Sequence, residues 1–195
     1  MRYKQEKKEM IYWAGLLNRK GFVTVRSGNI SSKAGNDRIL ITAHDSYLGH
    51  LNEEEIIAID LDGNVVKGEK EPTSELRLHL RIHSRYRDKK IVIHAHPPFT
   101  TAFFHYFDTL DIFSFEAQMY LKDIKTIPQS TPTVSDVNPV VEALKRSTIV
   151  VLKNHGVVSL GNEYKEAFAM IELLEEQAKV NLFTKSMNLK GREGK

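Results

Sequence analysis

The spacing of hydrophobic and polar residues changes along the chain, and each spacing predicts a different kind of element. Residues 3–19 carry their apolar side chains at helical spacing, which predicts an amphipathic helix, and Gly21 is a natural stop just beyond it. Strand-like apolar runs follow, and they lie at 22–25, 29–32, 38–42 and 56–68, the last of these a hairpin that turns on Asp62 and Gly63.

Residues 73–87 fit two periodicities. Apolar residues alternate with polar ones from Leu76 to Ile82, as they do in a strand. Thr73 and Ser74, however, can cap a helix, and the length of the segment also suits a helix. We therefore predict a helix here.

The second half of the chain mixes helical and strand patterns. The elements we predict are a strand at 91–95, helices at 97–106 and 136–146, two short strands bent at His155 and Gly156, and a long helix at 163–188. Helices mixed with short strands and hairpins indicate an α/β protein, in which helices cover a partly or wholly antiparallel sheet. We see no repeat or linker, so a single domain over 1–195 is expected.

Composition and charge exclude several classes of partner. Apolar residues make up 41% and charged residues 27% of the chain, and the net charge of +3 is not concentrated in a basic stripe. No nucleic-acid partner is therefore expected. No apolar run approaches the roughly 20 residues of a membrane span, and the N-terminus lacks the apolar core of a secretory signal, so we expect a cytoplasmic protein without a membrane partner.

Three of the eight histidines stand where predicted strands end. His94 and His96 are two residues apart, so in a strand their side chains point to the same face, as two ligands of one metal must. His155 ends a second apolar strand, and Gly156 lets the backbone turn immediately afterwards. Because the chain has no cysteine, any metal must be held by nitrogen and oxygen ligands. Hydrogen-bonded histidines at a sheet edge remain the alternative.

Other titratable residues have weaker patterns. His79 and His83 have the i, i+4 spacing of a metal pair on a helix, but the glutamate that follows the first histidine in zinc proteases is missing. We interpret these two as helix-surface residues. Glu75 follows two hydroxyl residues at a predicted helix start, where it is either a proton-transfer group beside a metal or a glutamate stabilised by the helix dipole.

Four short motifs, taken together and in this order, resemble the class II aldolase/adducin family. They are SGNIS at 27–31, PTSE at 72–75, HAHP at 94–97 and NHG at 154–156. The resemblance extends from the first helix to the last. It implies a three-layer α/β/α sandwich around a mainly antiparallel sheet, and a ring-shaped homotetramer with active sites between subunits.

The resemblance also implies a role for each matching residue. His94, His96 and His155 match the family's zinc ligands, which implies one Zn²⁺ per subunit, although other divalent metals are possible. Glu75 matches the catalytic acid/base of the sugar-phosphate aldolases. The residues that match positions around the substrate phosphate are Asn29, Thr42, Thr73 and Ser74.

The chain departs from the family pattern in three regions. The phosphate loop commonly ends in glycine, but here it reads T-A-H-D at 42–45, where Asp45 would repel a phosphate unless a protonated His44 compensated for it. The family's fuculose-phosphate aldolases also use two tyrosines. One of them matches Phe115, with Tyr120 downstream, and the other would lie in the C-terminal tail, whereas the last tyrosine here is Tyr164.

The family resemblance therefore predicts a zinc-dependent lyase. We expect it to cleave a ketose 1-phosphate into dihydroxyacetone phosphate and an aldehyde, with a small phosphorylated sugar as its substrate. A dehydratase or a sugar-acid-phosphate decarboxylase on the same metal site remains an alternative. An epimerase is a further alternative, although the family's epimerases carry an aspartate at the position of Glu75. A non-catalytic adducin-like module is the remaining one, and it would not need the three histidines.

Overall fold

In the computed structural model, which describes residues 3–190, eight strands form one sheet in the order β4-β3-β2-β1-β5-β8-β7-β6. The strands are β1 (Asn29–Lys33), β2 (Ile39–Thr42), β3 (Ile56–Ile59), β4 (Val65–Lys67), β5 (Ile91–Ala95), β6 (Lys125–Ile127), β7 (Ile149–Leu152) and β8 (Gly156–Gly161). Every neighbouring pair is antiparallel except β6 and β7, which are parallel. The sheet is therefore mainly antiparallel, as predicted.

Helices cover both faces of this sheet. They are α1 (Lys4–Arg19), α2 (Leu76–Arg85), α3 (Pro98–Tyr106), α4 (Phe115–Tyr120), α5 (Asn138–Ala143) and α6 (Tyr164–Lys190). One core cluster joins α1, α3, α4 and α6 to one face, and a second joins α2 and α5 to the other. The three-layer α/β/α sandwich is confirmed. None of the helices within residues 3–190 has both the length and the apolar character of a membrane span.

Strand β5 illustrates how the alternating pattern builds the three layers. Ile91 and Ile93 belong to the core under α1, α3 and α6, whereas Val92 between them belongs to the core under α2 and α5. This is the alternation expected of a strand buried on both faces. His94 therefore points towards the α2 side of the sheet, the side that Val92 also faces.

The helix predicted at 73–87 is confirmed as α2, and its packing explains the misleading alternation. Leu78 and Ile82 contact the core beneath α5, while Leu76 and Leu80 pack on a separate apolar cluster formed by β2 and β3. Two apolar stripes on neighbouring sides of one helix produce an alternating sequence, because the helix lies across two parts of the sheet.

Two expectations about the elements need correction. Residues 22–25 form no strand; they pass through a loop in which the carbonyl of Phe22 accepts a hydrogen bond from the N–H of His96. The short elements α4 and β6 were not predicted, because six and three residues carry too little periodicity to be recognised. Within the short C-terminal tail, residues 191–195 lie outside the described part of the chain.

Candidate active site

Two neighbouring strands bring three histidines together. His94 lies in β5, His96 follows it directly, and His155 lies in the turn between β7 and β8. Because β5 and β8 pair antiparallel, with Ala95 opposite Val157, the turn before β8 lies beside the end of β5. The histidines predicted from separate parts of the sequence therefore meet at one edge of the sheet.

The turn that carries His155 is unusually tight. Asn154 adopts a left-handed backbone conformation with φ of 63°. A Cβ atom on Gly156 would lie 2.3 Å from the carbonyl oxygen of Ala95 and 2.8 Å from the ring of His96. No residue other than glycine fits there, so Gly156 allows the turn to approach β5 closely enough for His155 to join the other two rings.

The three imidazoles point their Nε2 atoms at one another. The Nε2 atom of His94 lies 2.9 Å from that of His96 and 3.2 Å from that of His155. Tetrahedral ligands at the usual Zn–N distance are roughly 3.3–3.4 Å apart, so this spacing suits one small metal ion. His94 also donates its Nδ1–H to the carbonyl oxygen of Val157 at 2.9 Å, which leaves its Nε2 lone pair free for a metal.

Electrostatics favour the neutral form of these rings. Burial lowers the pKa of all three histidines, and for His96 burial together with the neighbouring His155 brings the pKa to about 4. The rings are thus unprotonated at neutral pH, which is the state that a metal needs. The geometry and the protonation state of the three rings therefore fit a divalent metal with nitrogen ligands.

Glu75 lies in the same small cleft, whose volume is about 120 Å³. Its carboxylate accepts hydrogen bonds from the backbone N–H of Val134 at 3.1 and 3.3 Å. Burial raises the pKa of Glu75, and the hydrogen bond from Val134 offsets part of this effect. A buried carboxylate with a raised pKa beside histidines that fit a metal is suited to accept and return a proton.

The residues predicted around a phosphate are only partly brought together. Asn29, Thr73 and Ser74 line the cleft with Glu75 and the histidines. Thr42 is not among the lining residues, because its hydroxyl accepts a hydrogen bond from the N–H of Ile30 at 3.2 Å inside the sheet. Its carbonyl oxygen accepts from the N–H of Thr73 at 3.2 Å, so Thr42 supports the segment that lines the cleft.

Arg26 was not predicted as a site residue. It lines the cleft beside Ser27 and Gly28 and pairs with Asp45, the residue whose charge was expected to repel a phosphate. The sequence had indicated His44, and not Arg26, as the group that offsets the charge of Asp45. The position of Arg26 immediately before the SGN motif was the one feature of the sequence that could have indicated its place in the cleft.

His79 and His83 were predicted to lie on a helix surface, and this prediction is wrong. Their exposed fractions are 0% and 3%, because this side of α2 packs on β1. Burial lowers the pKa of His79 to about 3. The signal was in β1, where Asn29 and Ser31 place polar groups on a buried face and so require polar partners.

No tyrosine lines the cleft among residues 3–190. Phe115 and Tyr120, the two residues considered at the family's tyrosine position, lie on α4 and are 86% and 56% exposed. Neither lies beside the histidines. A tyrosine of this chain therefore does not act as a second proton donor in its own cleft.

The sequence and the fold have counterparts among known proteins. A family model described as the Class II Aldolase and Adducin N-terminal domain matches residues 8–182. An L-fuculose phosphate aldolase of Methanococcus maripaludis is 37% identical over 166 residues, which cover 85% of this chain and 90% of that protein. A 3-oxo-tetronate 4-phosphate decarboxylase of Haemophilus influenzae is 28% identical, with 90% of this chain and 86% of that protein covered.

A solved structure shows the same fold. The crystal structure of an L-fuculose-1-phosphate aldolase from Thermus thermophilus superposes with a TM-score of 0.83 at 23% identity, covering 93% of this chain and 95% of that one. The chain therefore belongs to the class II aldolase and adducin family. Family membership, the fold and the prediction of a class II lyase are thereby confirmed.

Proposed function

We propose that the protein is a zinc-dependent sugar-phosphate aldolase that cleaves a ketose 1-phosphate into dihydroxyacetone phosphate and an aldehyde. The observation that carries this proposal is the meeting of three neutral imidazoles with a buried carboxylate of raised pKa in one cleft. The relative named as an L-fuculose phosphate aldolase supports the substrate class.

His94, His96 and His155 are the residues that would hold the metal. When bound, a divalent metal supplies Lewis-acid stabilisation for the negative charge that develops on the substrate's carbonyl oxygen. Zinc is our first choice because three imidazoles with an open position are typical of catalytic zinc. Manganese, iron and cobalt are alternatives that a metal analysis would separate.

Glu75 is the group we propose for proton transfer at the substrate carbon. Its carboxylate is held by the backbone N–H of Val134, so it has a fixed position without a competing cation. The raised pKa brings the group closer to neutral pH, where a base is both available and strong enough to act.

The phosphate end of the substrate would lie among Asn29, Thr73 and Ser74. Amide and hydroxyl groups at the cleft wall can donate hydrogen bonds to phosphate oxygens. Thr42, which was predicted to contact the phosphate, would act only through the backbone of Thr73. Arg26 adds a positive charge at the rim of the cleft.

A decarboxylase is the second candidate function. Retro-aldol cleavage requires a group that takes the proton of the hydroxyl next to the broken bond, and no tyrosine lines the cleft among residues 3–190 to do so. Decarboxylation needs no such group, since carbon dioxide leaves without a proton. A named relative is a decarboxylase of a phosphorylated oxo-acid.

A homotetramer with shared active sites would reconcile the aldolase with the missing tyrosine, because a partner subunit could supply the proton-handling group. Large exposed apolar side chains on α4 and the segments around it are consistent with burial between subunits, among them Tyr106, Phe113, Phe115 and Met119. Light scattering tests this assembly, and a stable monomer at micromolar concentration would contradict it.

A cytoplasmic location and a single domain over 1–195 stay predictions.

A turnover screen separates the two candidate functions. The metal-loaded protein should release dihydroxyacetone phosphate from one of a panel of ketose 1-phosphates, and it should exchange a prochiral hydrogen of dihydroxyacetone phosphate with solvent. Hydrogen exchange is expected of both candidates, because loss of carbon dioxide from a phosphorylated 3-oxo acid also leaves an enediolate that must be protonated. Release of carbon dioxide from phosphorylated 3-oxo acids, without cleavage of any ketose 1-phosphate in the panel, would replace the aldolase by the decarboxylase.

A further inference from the structure

A buried chain of hydrogen bonds runs from the cleft into the protein. Asn29 Oδ1 lies 2.6 Å from His79 Nε2, His79 Nδ1 lies 2.6 Å from Ser31 Oγ, and Ser31 Oγ lies 2.8 Å from His83 Nε2. All four residues are buried, and only Asn29 lines the cleft. We call these four residues the relay.

The relay has two possible directions. Burial keeps both imidazoles neutral, so each ring carries one N–H and one lone pair. In the first direction His83 donates to Ser31, Ser31 donates to His79, and His79 donates from Nε2 to the Asn29 carbonyl. In the second direction every donor and acceptor is exchanged, and the Asn29 amide is rotated by half a turn.

The hydrogen bonding of His83, at the end of the relay away from the cleft, decides between the two directions. His83 Nδ1 is buried and has no hydrogen-bond partner among residues 3–190. In the first direction this atom is a bare lone pair, whereas in the second it is a buried N–H without an acceptor. Orphaned buried N–H groups are rarer in proteins than under-used acceptors, so the first direction is favoured.

We infer that His79 is a positioning residue, which holds the Asn29 amide so that its NH₂ group, not its carbonyl, faces the cleft and donates to the substrate's phosphate. This inference rests on the proposed phosphate site. An NH₂ group attracts a phosphate oxygen, whereas a carbonyl oxygen in the same place would repel it. The Asn29 amide alone could turn either its NH₂ group or its carbonyl towards the cleft. The relay fixes the NH₂ group there, so this position favours an anion.

The hydrogen positions can be measured directly. Long-range ¹H–¹⁵N spectra of metal-loaded protein with ¹⁵N-labelled histidine report which ring nitrogen carries the proton, and single variants assign the eight histidines. We expect the Nε2–H form for both His79 and His83. The Nδ1–H form at both positions would overturn the inference, because it is the signature of the opposite direction.

A phosphate-binding cycle tests the consequence. Ser31→Ala breaks the relay without touching the cleft, and Ser32→Ala is a matched control, since Ser32 is a buried serine of the same strand outside the relay. Inorganic phosphate is titrated into zinc-loaded protein by calorimetry. Ser31→Ala should weaken binding roughly 2–10-fold, because His79 is then no longer held in one tautomer and the Asn29 amide presents its NH₂ group only part of the time. Ser32→Ala should leave binding unchanged.

The same cycle in an Asn29→Ala background distinguishes positioning from general loosening of the fold. If the relay acts through Asn29, then Ser31→Ala should cause no further loss once Asn29 is truncated. An equal loss in both backgrounds would overturn the inference and leave the proposed function standing. Absence of phosphate binding by the wild-type protein would overturn the phosphate site and the inference together.

A pair of variants at His83 keeps the test available if Ser31→Ala does not fold. His83→Gln can still donate an N–H to Ser31, whereas His83→Leu cannot. Phosphate affinity should be close to wild type in the first variant and reduced in the second. Equal affinity in the two folded variants would show that the direction of the relay does not matter for binding.

Discussion

Arg26 and Asp45 form a two-point ion pair at the rim of the cleft, in which Arg26 Nη2 lies 2.9 Å from Oδ1 and 3.0 Å from Oδ2 of Asp45. The two side chains are 78% and 57% exposed. An ion pair this exposed contributes little to stability, roughly 0–1 kcal/mol, so Arg26 can leave Asp45 at low cost. A phosphate dianion entering the cleft is a stronger partner for the guanidinium group.

Arg26→Ala should therefore raise KM for a phosphorylated substrate by roughly 10-fold or more, because it removes a cation and leaves Asp45 uncompensated near the phosphate. The value of kcat should change much less. Steady-state kinetics of the two parameters tests this, with Asp45→Asn as the companion variant, in which KM should stay constant or fall. An unchanged KM in Arg26→Ala would mean that the arginine does not reach the substrate.

His155→Ala should lose metal and activity together. Two imidazoles remain in this variant, and a site with two protein ligands holds a divalent metal far more weakly than one with three. Metal content after dialysis, measured by mass spectrometry, checks this against His50→Ala, which removes an exposed histidine outside the cleft. Stoichiometric metal in His155→Ala would place the site elsewhere.

His79, one of the two buried histidines of the relay, makes stability depend on pH. The pKa of His79 is about 3 in the folded protein, below its usual value of 6.5, so the unfolded chain binds a proton first as pH falls. Stability is therefore complete above about pH 6.5 and is lost as pH decreases towards 3, with a loss from His79 of about 2 kcal/mol between pH 8 and pH 5.

Urea unfolding of metal-free protein at pH 8 and pH 5 measures this loss. His79→Gln should reduce the difference between the two pH values, whereas His50→Gln, at an exposed site, should not. His94, His96 and His155 are present in every protein compared, so their effect on the pH difference in unfolding free energy is the same in each. The same pH difference in His79→Gln and the wild type would contradict a buried neutral His79.

The meeting of the three histidines could be predicted from the sequence because most of the cluster is local. His94 and His96 share a strand, and the i, i+2 spacing alone places both rings on one face. His155 required only that a second strand lie nearby, and the tight turn at Gly156 provides the close approach. The resemblance of the four motifs, in their order, to the family then linked His155 to the other two histidines.

The relay and the ion pair could not be predicted, because each depends on contacts between distant segments. Asn29 and His79 meet only when β1 has its observed register and α2 its observed rotation on the sheet. The i, i+4 spacing of His79 and His83 showed that the two share a face of the helix, but not whether that face is buried. Arg26 and Asp45 lie on separate loops, and no periodicity connects them.

Glu75→Gln separates proton transfer from metal binding. The glutamine keeps the size of the side chain and can still accept the hydrogen bond from Val134, but it cannot act as a base. Turnover should fall by roughly 10²–10⁴-fold, the usual contribution of a positioned general acid or base. Metal content should stay near the wild-type value, since three histidines suffice to hold the ion.

The thermal stability of Glu75→Gln gives an independent check on the environment of this carboxylate. Because burial raises its pKa, the charged form is disfavoured in the folded protein, and its contribution to stability is lost as pH rises through that pKa. The Glu75→Gln variant, whose side chain is neutral, should therefore melt at the same temperature as the wild type or higher at pH 7.

Solvent exchange of the prochiral hydrogen of dihydroxyacetone phosphate should fall in Glu75→Gln in parallel with turnover, since both use the same proton transfer. Loss of the metal in this variant would instead make Glu75 a ligand and leave the proton-transfer role without support.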